Sequence, residues 1–335
     1  MFPGSSTLIN QCFRGLLGRD ALPHELEHYQ QGGEHAGIER LCQTLVMSDE
    51  FKNRGVEGRE FVPPGHFYSV IPSFGDRDNH LTKAQELERQ RRLPGIEVDE
   101  AAWKLHLERI AVISQTVPFP VTKTEGFRYY FDNPFYSYGD AISLYRMLVD
   151  HKPARIVEVG SGFSSAIMLD TMDRVEGYKA EITFVEPCPD ILRSLLSNSD
   201  FERTKVIVSR VQDVPMAVFT DLKAGDILFI DSTHVSKLGI DVNHLYFEVL
   251  PRLARGVRIH VHDIFWPFEY PAKWISSGRA WNEAYLLRAI LSDTQRYGIT
   301  YFSDYMRLFH NNWIQANAPL IAKKYGGHIW LEVTG

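Results

Sequence analysis

The sequence predicts a doubly wound α/β fold, a mainly parallel sheet with helices on both faces, preceded by a small all-α unit. Three observations carry that expectation. Short runs of β-branched and aromatic residues recur between residues 155 and 264, with segments of helical periodicity between them, and strands alternating with helices build a parallel sheet covered on both faces. The first run leads into Gly160-Ser161-Gly162 and then a helix; a glycine turn feeding a helix N-terminus is a ligand-holding device of such sheets. Acidic residues stand at or near the carboxyl ends of the runs, namely Glu158, Glu186, Asp213, Asp231 and Asp263. Ligands of these sheets bind at that edge.

In the first strand, Ile156, Val157 and Val159 are the β-branched residues a central strand requires. Gly160 and Gly162 permit a sharp turn and a close approach of backbone to ligand, and Ser164 and Ser165 open a helix expected over 164–174. The second strand starts at Glu181 and ends on Glu186, with a helix expected over 189–198. A third strand is expected from Lys205 towards Asp213, then a helix over 214–222. The fourth strand ends on Asp231; after a helix over 239–253 the fifth ends on Asp263. Two further strands, 297–305 and 328–333, bring the sheet to seven.

The glycine turn sets the choice of ligand. A dinucleotide fingerprint wants a third glycine where this chain has Ser165. Glu158, two residues before the first glycine, would repel a pyrophosphate and suits a ligand with an ammonium group. Glu186 stands where nucleotide-binding α/β folds grip ribose hydroxyls. The pattern Glu158-x-Gly160-x-Gly162-x-Ser164 resembles the first motif of class I S-adenosylmethionine (SAM) methyltransferases, and the domain is similar to the methyltransferase family 24 group. The resemblance implies a seven-stranded Rossmann-like sheet closed by an antiparallel hairpin. It also implies SAM as cofactor, held by Glu158, Gly160, Gly162, Ser164, Glu186 and Asp231, with Gln212 and Asp213 at the adenine.

The fourth and fifth strands resemble those of metal-dependent O-methyltransferases of the catechol and macrolide-sugar types. Those enzymes carry a metal-binding Asp at the end of strand four and a general base three residues on, which gives Asp231 and His234 here. Further ligands come from the end of strand five, where this chain has His262 and Asp263 followed by Ile264. His262 departs from the usual acidic residue, and Ile264 ligates nothing. Mg²⁺ prefers oxygen donors, whereas two Asp and one His with solvent suit Mn²⁺ or Fe²⁺. The alternative is that His260 and His262 share one face of the strand and simply pack. The resemblance thus implies a divalent metal on Asp231, His262 and Asp263, and catalysis by His234 with Asp231. A neutral histidine accepts the proton that a hydroxyl must lose as it takes up a methyl group.

The expected activity is SAM-dependent O-methyl transfer to a hydroxyl of a sugar, glycan or glycoside. Residues 265–283 hold six aromatics, which suit sugar or aromatic rings. The alternatives are a metal-dependent hydroxylase-like enzyme on the same fold and a non-catalytic protein that uses the SAM fold for binding.

Three regions are expected: a helical domain at 1–55, a connector and lid at 56–126, and the methyltransferase domain at 127–335. In the first, Leu8, Ile9, Cys12, Phe13, Leu16 and Leu17 recur at helical spacing, a second helix over 22–30 opens at Pro23, and a third covers 38–51. The strings at 13–21 and 47–52 resemble the small helical domain of unknown function DUF4214, which implies a bacterial source. The connector has Pro- and Gly-rich loops between 63 and 76, a charged helix over 82–92 and an amphipathic helix over 99–113. Residues 126–141, dense in aromatics and including Asn133, Ser137 and Asp140, are expected to line the ligand as a lid.

With 335 residues and 44% hydrophobic content, the chain suffices for one large core and a smaller satellite. No apolar run reaches the ~18 residues of a membrane span, and Arg14 and Arg19 break up the stretch where a secretory signal would lie. Cys12, Cys42 and Cys188 are widely spaced without zinc-like pairs, which suggests a reducing, cytoplasmic setting. A net charge of −6 argues against a nucleic-acid partner. The expected partner is a small-molecule or glycan acceptor, with assembly into a homo-oligomer left open.

Overall fold

The computed structural model describes residues 9, 10, 12–14, 20–30, 44, 45, 48 and 61–335. The chain divides into two compact units, Met1–Ser73 and Phe74–Gly335. In the first, helix α1 (Pro23–Gln30) opens on a proline, whose missing N–H has no partner to lose there. Ile9, Phe13, Ala21 and Leu45 form a small buried cluster, with Cys12 and Leu26 against it. Most of the helix expected over 38–51, and most of the strings at 13–21 and 47–52, lie outside the described residues.

The second unit begins with α2 (Phe74–Leu87), α3 (Glu100–Ser114) and α4 (Tyr138–His151). The charged helix thus starts earlier and ends earlier than its composition suggests. Pro72 just ahead and Asp76 in the first turn are start signals inside what reads as a loop. Asp99 caps α3 by accepting the Ala102 N–H at 3.0 Å, and Trp103, Leu107, Ile110 and Ser114 bury one face.

The sheet follows: β1 (Arg155–Val159), α5 (Phe163–Arg174), β2 (Glu181–Val185), α6 (Asp190–Leu195), α7 (Asn198–Arg203), β3 (Lys205–Ile207), α8 (Ala217–Thr220), β4 (Ile227–Ile230), α9 (Asp241–His244) and β5 (Arg258–His262). Then come α10 (Ala272–Ser276), α11 (Glu283–Leu291), β6 (Tyr297–Phe302), α12 (Ser303–Asn317), α13 (Pro319–Ala322) and β7 (His328–Val333). The seven strands lie in the order β3-β2-β1-β4-β5-β7-β6, so the doubly wound α/β fold is the one observed. Strands β1 to β5 pair in parallel, while β7 runs antiparallel to both of its neighbours. The strand order reverses between β1 and β4, and the crevice at such a switch point is where these sheets take ligands.

Two expectations change. The third strand stops at Ile207, because β2 ends opposite it at Val185 and offers no further partner; Val211–Asp213 form a 3₁₀ turn instead. The last two strands do pair antiparallel, but not through a tight turn: α12 and α13 intervene between them, and β7 inserts between β5 and β6. Tyr305, Met306 and Ile314 are buried from the helix that fills the gap.

The aromatic stretch after Gly126 is largely core. Tyr129, Phe131 and Tyr136 are buried, and Tyr129 meets Phe131 edge-on at 5.5 Å. Asn133 is committed to its own turn, donating to the carbonyls of Tyr130 and Tyr136 and accepting from the Phe135 and Tyr136 N–H groups. Ser137 donates to the Phe131 carbonyl. Asp140 Oδ1 accepts from His328 Nδ1 at 2.7 Å, and His328 Nε2 lies 2.8 Å from Ser143 Oγ, a buried staple between α4 and β7. Arg128 ties the stretch to α5 and α7 through Asp170, Asp173 and Asp200 at 2.6–2.7 Å. Of the expected lid, Phe135 and Tyr136 line one of the hollows at the strand ends.

Candidate active site

The site is built where β1 and β4 part. Gly160 has φ +82°, and a Cβ there would overlap the Asp231 carbonyl, so only glycine lets the two strand ends lie this close. The Ser161 N–H donates to Glu186 Oε2 at 3.0 Å and the Cys188 N–H to Oε1 at 2.8 Å. Glu186 is thereby fixed at the tip of β2, and each oxygen keeps a lone pair for a ligand hydroxyl. Around Gly162 the nearest atom to an added Cβ is Ile191 Cγ2 at 3.6 Å, so the turn opens towards the cavity.

Two hollows meet at this point. One, of 210 Å³, is lined by Phe135, Tyr136, Gly160, Ser161, Gly162, Phe163, Ser164, Glu186, Ile191 and Asp231. The other, of 320 Å³, is lined among others by Val185, Glu186, Val211, Gln212, Asp231, Ser232, Gly239 and Asp241. They share Gly160, Glu186 and Asp231, and together they have the size of a small-molecule pocket. A 440 Å³ hollow beside Gly95, Leu291 and Tyr297 lies at the start of β6, the opposite edge of the sheet from the strand ends.

Glu158 lines neither hollow. It is fully buried beneath the turn, where Ser164 donates to Oε1 at 2.5 Å and Ser165 to Oε2. Burial pushes its carboxyl up to about 8, against the pull of those two hydroxyls. At neutral pH it is mostly uncharged, so the expected attraction for an ammonium group is replaced by a structural role, tying β1 to the first turn of α5. Ser164 spends its hydroxyl on that tie while still lining the smaller hollow. Gln212 lines the larger hollow and donates to the Gly239 carbonyl at 2.7 Å. Asp213 pairs with Arg210 at 2.9 Å, is half exposed, and is not among the lining residues.

At the ends of β4 and β5 the structure gathers Asp231, His234, His262 and Asp263. His234 Nε2 lies 3.5 Å from Asp231 and 3.6 Å from Asp263; His262 Nε2 lies 3.5 Å from Asp263 and its ring packs 5.1 Å from Tyr136. His234 and Asp263 both adopt positive φ, 61° and 55°, conformations that cost non-glycine residues of order 1–3 kcal/mol and cluster at functional sites. Asp241 fixes the loop after β4 by accepting from the N–H and hydroxyl of Thr233.

Sequence reasoning missed the partner that governs His234. Its Nδ1 lies 2.8 Å from Glu283 Oε2, 49 residues away, and Glu283 is fully buried. The His234 carbonyl in turn accepts the Asn282 and Glu283 N–H groups, capping α11. Asn282-Glu283 can be read as a helix start, but nothing local says that this start docks on residue 234. Burial disfavours a charged His234 ring, yet hydrogen bonds with Asp231 and Glu283 outweigh it and push the imidazole up to about 10. At rest it is an imidazolium, not the neutral ring expected. Burial alone would raise Asp231, but His262 and His234 hold it below the usual carboxylate range.

That imidazolium bears on the expected metal. A cation site needs donors converging within about 2.0–2.6 Å of one point. Here the His234 nitrogen itself reaches between the two carboxylates. Among the described residues no group of three or more His, Cys, Asp or Glu side chains could hold a metal ion. Asp231, His262 and Asp263 therefore do not fit a resident Mg, Mn or Fe, and their charge is met from within the chain.

Residues 157–264 match the family described as methyltransferase domain. An uncharacterized protein of Archaeoglobus fulgidus is 30% identical over 193 residues, covering 56% of this chain and 85% of that protein. Among solved structures, an S-adenosylhomocysteine (SAH)-bound methyltransferase of Podospora anserina is similar with TM-score 0.37 and 15% identity over 80% of this chain and 99% of its own. An O-methyltransferase from Bacillus cereus in complex with SAH has TM-score 0.39 and 16% identity, over 69% of this chain and 91% of its own. No helix among the described residues is long and apolar enough to cross a membrane. The match to the methyltransferase-domain family thus spans the segment from β1 to just past β5, the strands whose ends frame the two hollows.

Proposed function

We propose that the protein is a SAM-dependent O-methyltransferase, with His234 as the base and a hydroxyl of a sugar, glycan or glycoside as acceptor. One observation carries the reading: Asp231 borders both hollows and lies within 3.5 Å of His234 Nε2, so the donor crevice and the base share one carboxylate. SAM, when bound, supplies an electrophilic methyl on a positively charged sulfur. Gly160 and Gly162 give it room, Glu186 accepts from ribose hydroxyls, and Gln212 borders the hollow that would take the adenine. Glu283 holds the His234 ring by Nδ1 and leaves Nε2 as the atom that exchanges a proton with the acceptor. Asp231 would be the residue through which a positively charged cofactor acts on His234: a cation near this carboxylate would weaken its hold on the imidazolium and favour the neutral base.

The sugar or glycan acceptor rests on the macrolide-sugar likeness of the fourth and fifth strands, on the DUF4214-like strings, and on the aromatic bed of Tyr270, Trp274 and Trp281 beside His234. A cytoplasmic setting and an acceptor other than nucleic acid accord with the cysteine pattern and the net charge. The test is calorimetry with SAH and NAD, followed by transfer from labelled SAM to copurifying small molecules. SAH should bind and NAD should not. His234→Gln should lower transfer about 10²–10⁴-fold with SAH affinity kept. Tight NAD binding without SAH binding would end this reading.

A further inference from the structure

The loop between α10 and α11 carries a guanidinium poised beside the base. Gly278, at φ +89°, turns the chain, and the Arg279 N–H donates to the Trp274 carbonyl at 3.2 Å. The Arg279 guanidinium then lies 4.3 Å from the Trp274 ring centroid and 4.8 Å from that of Trp281. The two rings pack on each other edge-on at 5.2 Å, and Trp281 also packs 4.4 Å from the His234 ring. One indole thus touches both the candidate base and the arginine.

Stacking covers the faces of a guanidinium and leaves its rim of N–H donors free, the part that grips a carboxylate or phosphate in a bidentate manner. Arg279 is exposed and forms no ion pair among the described residues. Elsewhere in this unit Arg210 is paired with Asp213 and Arg128 with three aspartates. Glu269, in the same loop system, is engaged by His80 at 2.8 Å and by the Tyr285 hydroxyl. A charged group held still by two indoles loses little freedom on binding, which is the condition for selective recognition.

We propose that Arg279 determines acceptor specificity, and that the molecule presenting its hydroxyl to His234 also carries an anionic group, a carboxylate or a phosphate. The proposal rests on the O-methyltransferase reading for the role of the hydroxyl, but anion recognition can be measured without any methyl transfer. The probes are benzoate, phenyl phosphate and neutral benzyl alcohol, titrated into the full chain with SAH present and followed by tryptophan fluorescence. Benzoate or phenyl phosphate should bind about tenfold more tightly than the alcohol, the worth of a charge-assisted pair, and whichever binds better identifies the anion class. Arg279→Gln should abolish the preference, and Arg279→Lys, which keeps the charge without the planar stack, should restore part of it. SAH affinity, read by calorimetry in each variant, should stay unchanged. Equal affinity for all three probes, or a preference that survives Arg279→Gln, overturns the proposal. Anion preference without SAH binding would remove the methyltransferase reading and leave Arg279 as an anion anchor; SAH binding without the preference would remove Arg279 alone.

Discussion

Replacing Glu283 by glutamine isolates the charge that sets the state of His234. The amide keeps the size of the carboxylate and its oxygen can still accept from Nδ1, so the 2.8 Å contact has a substitute while the negative charge is gone. An opposite charge at this range shifts a neighbour by about 1–3 pKa units. The imidazole, pushed up to about 10 in the parent, should therefore titrate in the variant at roughly 7–9, since Asp231 remains. Each unit corresponds to about 1.4 kcal/mol of lost preference for the imidazolium. A raised folded-state value means that this stabilisation is complete below the unfolded imidazole's ~6.5 and fades as pH rises towards the folded value. The variant's stability deficit should accordingly be largest in neutral and mildly acidic buffer and shrink in alkali. Ring-proton NMR of histidine-labelled protein reads the shift directly, with His234→Gln to assign the signal. An unmoved titration would refute the coupling. If the NMR value moves but the acid limb of the rate profile stays in place, His234 is not the base.

Three further outcomes follow from the same geometry. Gly160→Ala must relieve an overlap with the Asp231 carbonyl and occupy positive φ, so the turn should shift and SAH affinity fall by roughly 5–30-fold, the equivalent of about 1–2 kcal/mol; calorimetry with unchanged affinity would count against the close approach. His260 is buried against Phe229 at 4.0 Å with both ring nitrogens unpartnered, and burial holds it well below the usual imidazole range. The unfolded chain gains a proton below ~6.5 that the fold refuses, so stability should fall on acidification by up to about 1.4 kcal/mol per pH unit; urea melts at pH 7.5 and 5 should show a flatter acid limb for His260→Phe. Finally, transfer activity should survive exhaustive EDTA treatment, because His234 stands between Asp231 and Asp263; loss of activity that Mg²⁺ or Mn²⁺ restores would contradict that arrangement.

Much of this was legible in the residues. Ile227, Leu228, Phe229 and Ile230 announce a central strand because both of its faces are buried. Asp231, His234 and Asp263 are legible because strand ends deliver them to one edge. What escaped depends on distance or burial. Glu283 reaches His234 only because a helix start 49 residues later docks on its carbonyl. Glu158 looks like a ligand for a cation until burial is known to leave it largely protonated. The spacing of His262 and Asp263 invites a metal, and only the reach of the His234 ring between the carboxylates explains why the set does not close on one.

The Ser143-His328-Asp140 staple holds a different lesson. Its two contacts, 2.7 and 2.8 Å, are those of a hydrolase's serine, histidine base and orienting aspartate. Yet Ser143 and His328 are each 1% exposed, and no acyl group can reach the hydroxyl. A fluorophosphonate that labels reactive serines should leave the folded protein untouched at this position. The same three side chains that would define an enzyme at a cleft act here as an inert rivet, and what separates the two is access to substrate rather than the alignment of atoms.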